Sequence, residues 1–387
     1  MSEQNPLNLI AGYPAAAAAK RALEHSGSDF HEVRGEVGST VRQLHPKRLA
    51  LEVAEIIEET PSTKTLRVVA VDRQGLPPFQ AGQYVNLFVE IDGVQTARPY
   101  AISSSPTQRT HYDLTVKRAK DGFVSAYLLD RVSVGQRLTS SGPMGTFHHN
   151  PLFHGDDLVF LAGGSGVAPA RSLLLDILDR DLPRRFHLIY VNSHTEDVIF
   201  SEELRQLAER HERFTLTEVI SRPPPGHSGY SGRLTRTMLQ QILGEVGNRM
   251  FYLCGPTPFN DSCLTLLREL GTARRRIRVE ANGAPKWPNA QHGWPEGREL
   301  EDEVHITVQG RGSFRSQVGE PLLNALERNG YFVENACRSG ECSLCRVKLV
   351  SGSVFNPQEA HLRQSDRDFG WIYACVAFPT SDIEVML

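Results

Sequence analysis

Three of the chain's six cysteines crowd into one short loop, "ENACRSGECSLCRVK" (334–348), as Cys337, Cys342 and Cys345. A fourth, Cys375 in "YACVAFP", closes the set after residues 346–374. A thiol set this dense serves as a disulfide staple, a zinc site or an iron–sulfur cluster, and each demands a different fold around it. Zinc sites usually pair two C-x2-C-like motifs, and only Cys342 and Cys345 form one here. C-x4-C-x2-C with a distant fourth cysteine is the spacing that holds a [2Fe–2S] cluster, in which each iron takes two thiolates. Ser339, Gly340 and Ser343 keep the loop small, so backbone N–H groups can approach the cluster sulfides. The spacing favours the cluster over zinc and over structural thiols.

Compartment weakens the staple further. The N-terminus "MSEQNPLNLIAGYPAAAAAKRALEHSG" lacks the form of a signal peptide, because Glu3 stands where positive charge is wanted and Pro14 interrupts the apolar patch. No run approaches the ~18 apolar residues of a membrane span. The expected compartment is the cytoplasm, where structural disulfides are rare. A net charge of −3 without a long basic run gives no nucleic-acid or membrane-surface signal. At 387 residues, two to three domains are expected.

The pattern along the chain supplies their limits. Residues 1–47 read as an N-terminal extension, with "AAAAAKRALEH" (15–25) favouring a short helix. Residues 48–150 are a series of short Val-, Ile-, Leu- and Thr-rich runs punctuated by Gly, Pro and Asp, which predicts an antiparallel barrel or sandwich. From 151 to 282 apolar strands such as "DLVFLAGG" alternate with helical spacing such as "APARSLLLDILDRDL", which predicts an α/β parallel sheet. Residues 283–302 are Pro- and Gly-rich and read as a linker. Residues 303–387 contain short strands, one helix and the cysteine loop.

That last module resembles a plant-type ferredoxin. The resemblance implies an α+β β-grasp fold with Cys337, Cys342, Cys345 and Cys375 as cluster ligands, and leaves Cys254 and Cys263 outside the set.

In the β-rich module, "ARPYAISSSP" (97–106) follows a strand. Arg98 can pair with a phosphate, and Tyr100 can stack on a flat ring. Read alone, R-x-Y on a strand is more often core and surface than a ligand site. "VKRAKDGFVSAYL" (116–128) places Gly122 and Ser125 before a helix whose first N–H groups can face a pyrophosphate. "GPMGTF" (142–147) adds a Gly-rich turn. In this order the three segments resemble the ferredoxin–NADP reductase superfamily. The resemblance implies a flavin held by Arg98, Pro99, Tyr100, Ala101, Ile102, Ser103, Val116, Lys117, Arg118, Gly122, Val124, Ser125, Gly142, Met144, Gly145, Thr146 and Phe147. Ala101 stands where many relatives carry Ser beside the flavin.

In the α/β module, "LVFLAGGSGVAPARSLL" puts a glycine turn between strand and helix, where a pyrophosphate can approach the backbone. A purely structural turn has the same appearance. "YLCGPTPF" (252–259) resembles the superfamily's C-G-P turn beside the nicotinamide. The resemblance implies nucleotide contacts from Gly163, Gly164, Ser165, Gly166, Ala168, Pro169, Ser221, Arg222, Cys254, Gly255 and Pro256. It also implies that Tyr100, Cys254 and Glu280 flank the reacting rings; Ala281 and Asn282 follow where many relatives carry an aromatic residue.

The module order resembles the phthalate dioxygenase reductase-like oxygenase reductases. It implies transfer from NAD(P)H through a flavin to a [2Fe–2S] cluster and then to a partner metalloprotein, an oxygenase component first among candidates. FAD is expected over FMN, because the V-K-R and G-x-V-S elements resemble pyrophosphate-holding relatives. NADH is narrowly expected over NADPH. The alternatives are a redox-sensing or docking subunit with poor flavin turnover, and a reductase feeding another acceptor such as a corrinoid protein.

Overall fold

The computed structural model describes residues 12–25, 38, 40, 41, 44 and 46–387, except 74, 121, 281, 282, 358, 359 and 361. The expected helix forms over Tyr13–His25 (α1), where an alanine run gives the best helix propensity. Most of the remaining extension, and Ala281 and Asn282, lie outside the described residues.

Residues 48–387 form one compact unit. Its first layer is a six-stranded antiparallel sheet: β1 (Leu49–Thr60), β2 (Thr63–Ala70), β3 (Tyr84–Ile91), β4 (Val94–Ala101), β5 (Tyr112–Lys117) and β6 (Arg137–Ser140). The order is β4-β3-β6-β1-β2-β5. An Ile102–Leu114 bridge and the Ser103 N–H to Asp113 O bond of 2.9 Å join the two outer strands and close the barrel. Alternate residues Leu51, Val53, Leu66, Val68, Val85 and Leu87 are fully buried, as period-2 patterning requires. Asp92 and Gly93, both at positive φ, make the two-residue β3–β4 turn, the geometry that matches strand twist. Helix α2 (Phe123–Asp130) follows β5.

The second layer is a parallel sheet: β7 (Asp157–Gly163), β8 (Arg185–Asn192), β9 (Phe214–Ile220), β10 (Tyr230–Ser231), β11 (Met250–Cys254) and β12 (Ile277–Glu280). Helices α3 (Val167–Asp179), α4 (Ser201–Arg210), α5 (Arg236–Leu243) and α6 (Thr257–Glu269) connect its strands. The order β10-β9-β8-β7-β11-β12 reverses direction between β7 and β11. Ligands of such sheets bind at that switch point, beyond the strand C-termini. Arg171 fixes this layer to the barrel by donating to Ser103 O at 2.9 Å and lying 3.6 Å from Asp113, while Glu203 of its own layer pairs with it at 2.7 Å.

The third module pairs β13 (Glu303–Val308), β14 (Gly312–Gln317), β15 (Arg346–Ser351), β17 (Trp371–Tyr373) and β19 (Ile383–Met386) in the order β14-β13-β19-β15-β17. A small ladder joins β16 (Val354–Phe355) to β18 (Phe378–Pro379). Helices α7 (Leu322–Arg328) and α8 (Gln364–Asp368) complete it. Residues 283–302 lie against this module: the Trp294 ring meets Phe355 edge-on at 5.2 Å, and its N–H donates to Arg298 O at 2.9 Å. No helix among the described residues is long and apolar enough to cross a membrane.

Candidate active site

A cavity of about 980 Å³ opens where the three modules meet. The barrel contributes Arg98, Pro99, Tyr100, Ala101, Lys117, Gly122, Val124 and Ser125. The parallel sheet contributes Ser165, Ala168, Pro169, Cys254 and Glu280, and the ferredoxin-like module contributes Glu327, Arg338, Cys337 and Cys375. Strand pairing explains part of this convergence. Tyr100 and Ala101 end β4, while Cys254 and Glu280 are register partners at the ends of β11 and β12.

Cationic groups and a helix end suit this cavity to a phosphorylated flavin. Arg98 donates to Thr96 Oγ1 at 2.6 Å and to Ala97 O at 2.7 Å, with Glu327 Oε2 at 3.9 Å. Burial, with the neighbouring Arg338 charge, lowers the Arg98 pKa to about 10. An anion beside it would offset that desolvation. Gly122 caps α2, and the Ser125 hydroxyl bridges Ala119 N–H and Gly122 O at 3.1 and 3.3 Å. The first N–H groups of a helix have no intrahelical partner and can meet a pyrophosphate. Burial raises the Tyr100 pKa, so its neutral ring is available for stacking.

At the switch point, backbone packs on backbone. A Cβ on Gly166 would lie 1.9 Å from Cys254 O, and one on Gly255 would lie 2.5 Å from the Phe259 ring. Gly163 presses on the same ring, and Gly164 takes a positive φ of 55°. Pro256 caps α6 just beyond. Burial, with Glu341 and Cys337 nearby, pushes the Glu280 carboxyl up to about 8.

Cys337, Cys342 and Cys345 of the loop come together in space with Cys375, in the turn after β17. Cys337 accepts hydrogen bonds from the Cys342 and Cys375 thiols, which hold it below its ordinary pKa, and Cys345 is lowered in turn by Cys375. The N–H groups of Ser339, Glu341 and Cys342 donate to Cys337 Sγ at 3.4, 3.3 and 3.4 Å. Among the described residues, no three His, Cys, Asp or Glu side chains are placed to hold a single metal ion. Four neighbouring thiols supplied with N–H donors fit a two-iron cluster.

Several expected contacts lie elsewhere. Val116 alternates into the barrel core with Tyr112 and Leu114, and Ile102 joins the same core just beyond β4, where it bridges to Leu114. The Ser103 hydroxyl is fully buried, donating to Asp113 O and bonded to Thr115 Oγ1, both at 3.0 Å. Arg118 pairs with Asp130 at the surface. Gly142 is buried outside the lining, and Phe147 packs among Phe160 and Tyr252. Thr146 O accepts from Arg278 at 2.6 Å. A Cβ on Gly145 would lie 2.9 Å from the Tyr84 ring. Met144 pairs by backbone with Tyr84, and both pack on Cys337. Ser221 and Arg222 follow β9, their N–H groups bonded to Asn192 O and Ser193 O, outside this cavity. Nothing in the local sequence singles out Tyr84, Asn86 and Arg338, because each has a partner in a different module.

The fold and this cavity define an oxidoreductase that joins nicotinamide, flavin and iron–sulfur chemistry. Residues 50–149 match the oxidoreductase FAD-binding domain, 160–264 the oxidoreductase NAD-binding domain, and 306–380 the 2Fe-2S iron-sulfur cluster binding domain. The chain is 30% identical to the glycine betaine monooxygenase reductase subunit of Pseudomonas aeruginosa over 354 residues, covering 87% of this chain and 95% of that one. It is 31% identical to the ferredoxin reductase component of 3-ketosteroid-9-alpha-monooxygenase from Mycolicibacterium smegmatis, covering 86% and 95%. The solved phthalate dioxygenase reductase superposes with a TM-score of 0.64 at 22% identity, over 88% of this chain and 97% of that one. The chain belongs to the ferredoxin–NADP reductase superfamily, in its branch of oxygenase-type reductases with a C-terminal [2Fe–2S] domain. It is an NAD(P)H-dependent oxidoreductase that passes electrons through a flavin to a [2Fe–2S] cluster and on to an acceptor.

Proposed function

We propose that NADH is the donor and that the acceptor is the oxygenase component of a monooxygenase or dioxygenase system. The supporting observation is the single cavity on which Tyr100, the Cys254–Glu280 pair and two cluster cysteines all open. Relatives named as reductase subunits of oxygenases, and an NADH oxidoreductase of Escherichia coli at 29% identity, support the choice of partner and donor.

The bound groups would supply the chemistry: hydride transfer, then release of the electrons one at a time. The protein's task is alignment. In this reading residues 48–150 hold the flavin, 151–282 the nicotinamide and 303–387 the cluster, joined by 283–302. Arg98, Lys117 and the α2 N-terminus bind phosphates. Tyr100 covers the flavin ring, with Ala101 leaving space beside it. Gly163–Gly166 admit the nicotinamide pyrophosphate, and Ser221 and Arg222 lie toward its far end. Cys254 and Glu280 border the hydride path, and burial keeps the Glu280 carboxyl protonated at neutral pH. Cys337, Cys342, Cys345 and Cys375 hold the irons. The compartment is the cytoplasm, where thiols stay reduced.

The test is anaerobic titration of the flavin- and cluster-loaded protein with NADH and NADPH, followed by turnover with an oxygenase component and its substrate. The reading expects preferential reduction by NADH and reductase-dependent substrate oxidation. Preferential use of NADPH overturns the donor, and transfer to a non-oxygenase acceptor alone overturns the partner.

A further inference from the structure

We propose that Asn86 and Arg338 form a two-point latch that pins Cys337 onto the flavin-bearing hairpin, and that this latch sets the rate of electron transfer from flavin to cluster. The inference rests on the reading that the four cysteines hold the cluster.

Among the described residues, two side-chain hydrogen bonds cross between the barrel and the cysteine loop, one donated from each side, beside a longer Arg48–Glu334 ion pair of 3.9 Å at the surface. Asn86 on β3 donates through Nδ2 to Asn335 O at 2.5 Å. Arg338 donates through Nη1 to Ala97 O on β4 at 3.0 Å. Asn335 and Arg338 bracket Cys337 in sequence. Ala97 and Asn86 lie on paired strands, whose register also aligns Asn86 with Pro99 and Val85 with Tyr100. The cysteine is therefore held over the hairpin that carries Arg98, Tyr100 and Ala101. Between the two bonds, Cys337 packs on Tyr84.

Both donors are themselves held in place. Asn86 is fully buried, and its backbone is bonded through N–H and O to Ser141, each at 2.9 Å. Arg338 sits at a positive φ of 55° and is 7% exposed. Its guanidinium forks onto both oxygens of Glu327 at 2.8 Å and reaches Asn324 Oδ1 at 2.7 Å. A buried arginine in a non-helical loop conformation costs folding energy unless fully paired. Pairing with Glu327 alone would hold it within the ferredoxin-like module. The bond to Ala97 O is an additional use of the fork, and it spans modules. A loop held at two points has one docked position, and removing either point lets undocked positions be populated.

Asn86 and Arg338 are thus positioning residues. Asn86→Ala removes the barrel's donor without touching the cysteine loop. Arg338→Lys keeps the charge beside Glu327 but cannot fork to several acceptors. In stopped-flow mixing of the loaded protein with NADH, Asn86→Ala should leave flavin bleaching at the parental rate. Cluster bleaching should slow by about tenfold, the effect of a docked population reduced by about 1.4 kcal/mol. Arg338→Lys should also slow cluster bleaching. Without NADH, hydrogen exchange should rise over 334–342 in both variants, while iron content and the reduced-cluster EPR signal match the parent. Cluster bleaching within twofold of the parent in both variants overturns the latch. So does slowing that appears only with loss of iron, because the residues would then serve the loop's own fold. A parent chain that binds no iron would instead overturn the cluster reading itself.

Discussion

Gly166 shows how tightly the proposed nucleotide turn beyond β7 is packed. Its missing side chain lets the turn after β7 lie against the carbonyl of Cys254. A methyl group has no room there, and the neighbour that must yield is backbone. Gly166→Ala should therefore cost about 1–3 kcal/mol by overpacking and raise the nicotinamide KM, while flavin affinity stays at the parental value. Steady-state kinetics beside a flavin titration checks this; an unchanged KM would contradict it. Arg98 is tested from the flavin side. If Arg98 pairs with a flavin phosphate as proposed, Arg98→Ala removes a charge-assisted bond worth roughly 1.5–3 kcal/mol, so flavin affinity should fall by about tenfold to a hundredfold. Iron content should stay constant. An unchanged flavin dissociation constant would remove Arg98 from the phosphate site.

Strand ends do most of the positioning, and β12 carries a pH signature. Its last residue, Glu280, is pushed up to about 8 from an ordinary 4.5, chiefly by burial. Between those pH values the folded protein keeps a proton that the unfolded chain has released. Stability present below pH 4.5 is therefore lost as the pH rises through 8. Glu280→Gln cannot ionise, so its stability relative to the parent should grow across that window, by an amount on the order of a few kcal/mol, and level off above it. Denaturant midpoints measured from pH 5 to 9 check the sign; parallel curves for parent and variant would contradict it. Strand alternation also explains what the sequence reveals of these elements. The period-2 runs, the strand–helix alternation and the C-x4-C-x2-C spacing are local patterns, and each module follows from them. Which side of a strand faces a ligand is less legible. In "RPYAIS", Arg98, Pro99, Tyr100 and Ala101 all reach the cavity, whereas Ile102 and Ser103 turn inward where the chain bridges to β5.

At the scale of the molecule, function lies in the meeting of modules, and there local sequence patterns are silent. The two bonds that bracket Cys337 join residues 249 and 241 positions apart. Nothing near Asn86 or Arg338 announces its partner; only the packed modules bring them together. The same packing places Cys337 and Cys375 at the cavity that carries Tyr100 and Cys254, which lays out the proposed path from nicotinamide to cluster. Cys342→Ser, studied by anaerobic stopped-flow with NADH, tests that path most directly. The replacement removes one of the four proposed cluster ligands, and the barrel and parallel sheet should keep their fold. Flavin bleaching should proceed at the parental rate and ferricyanide reduction should persist, while cluster bleaching is absent and electron delivery to the acceptor protein collapses. Delivery to that acceptor at the parental rate, by a variant shown to have lost its iron, would contradict that path.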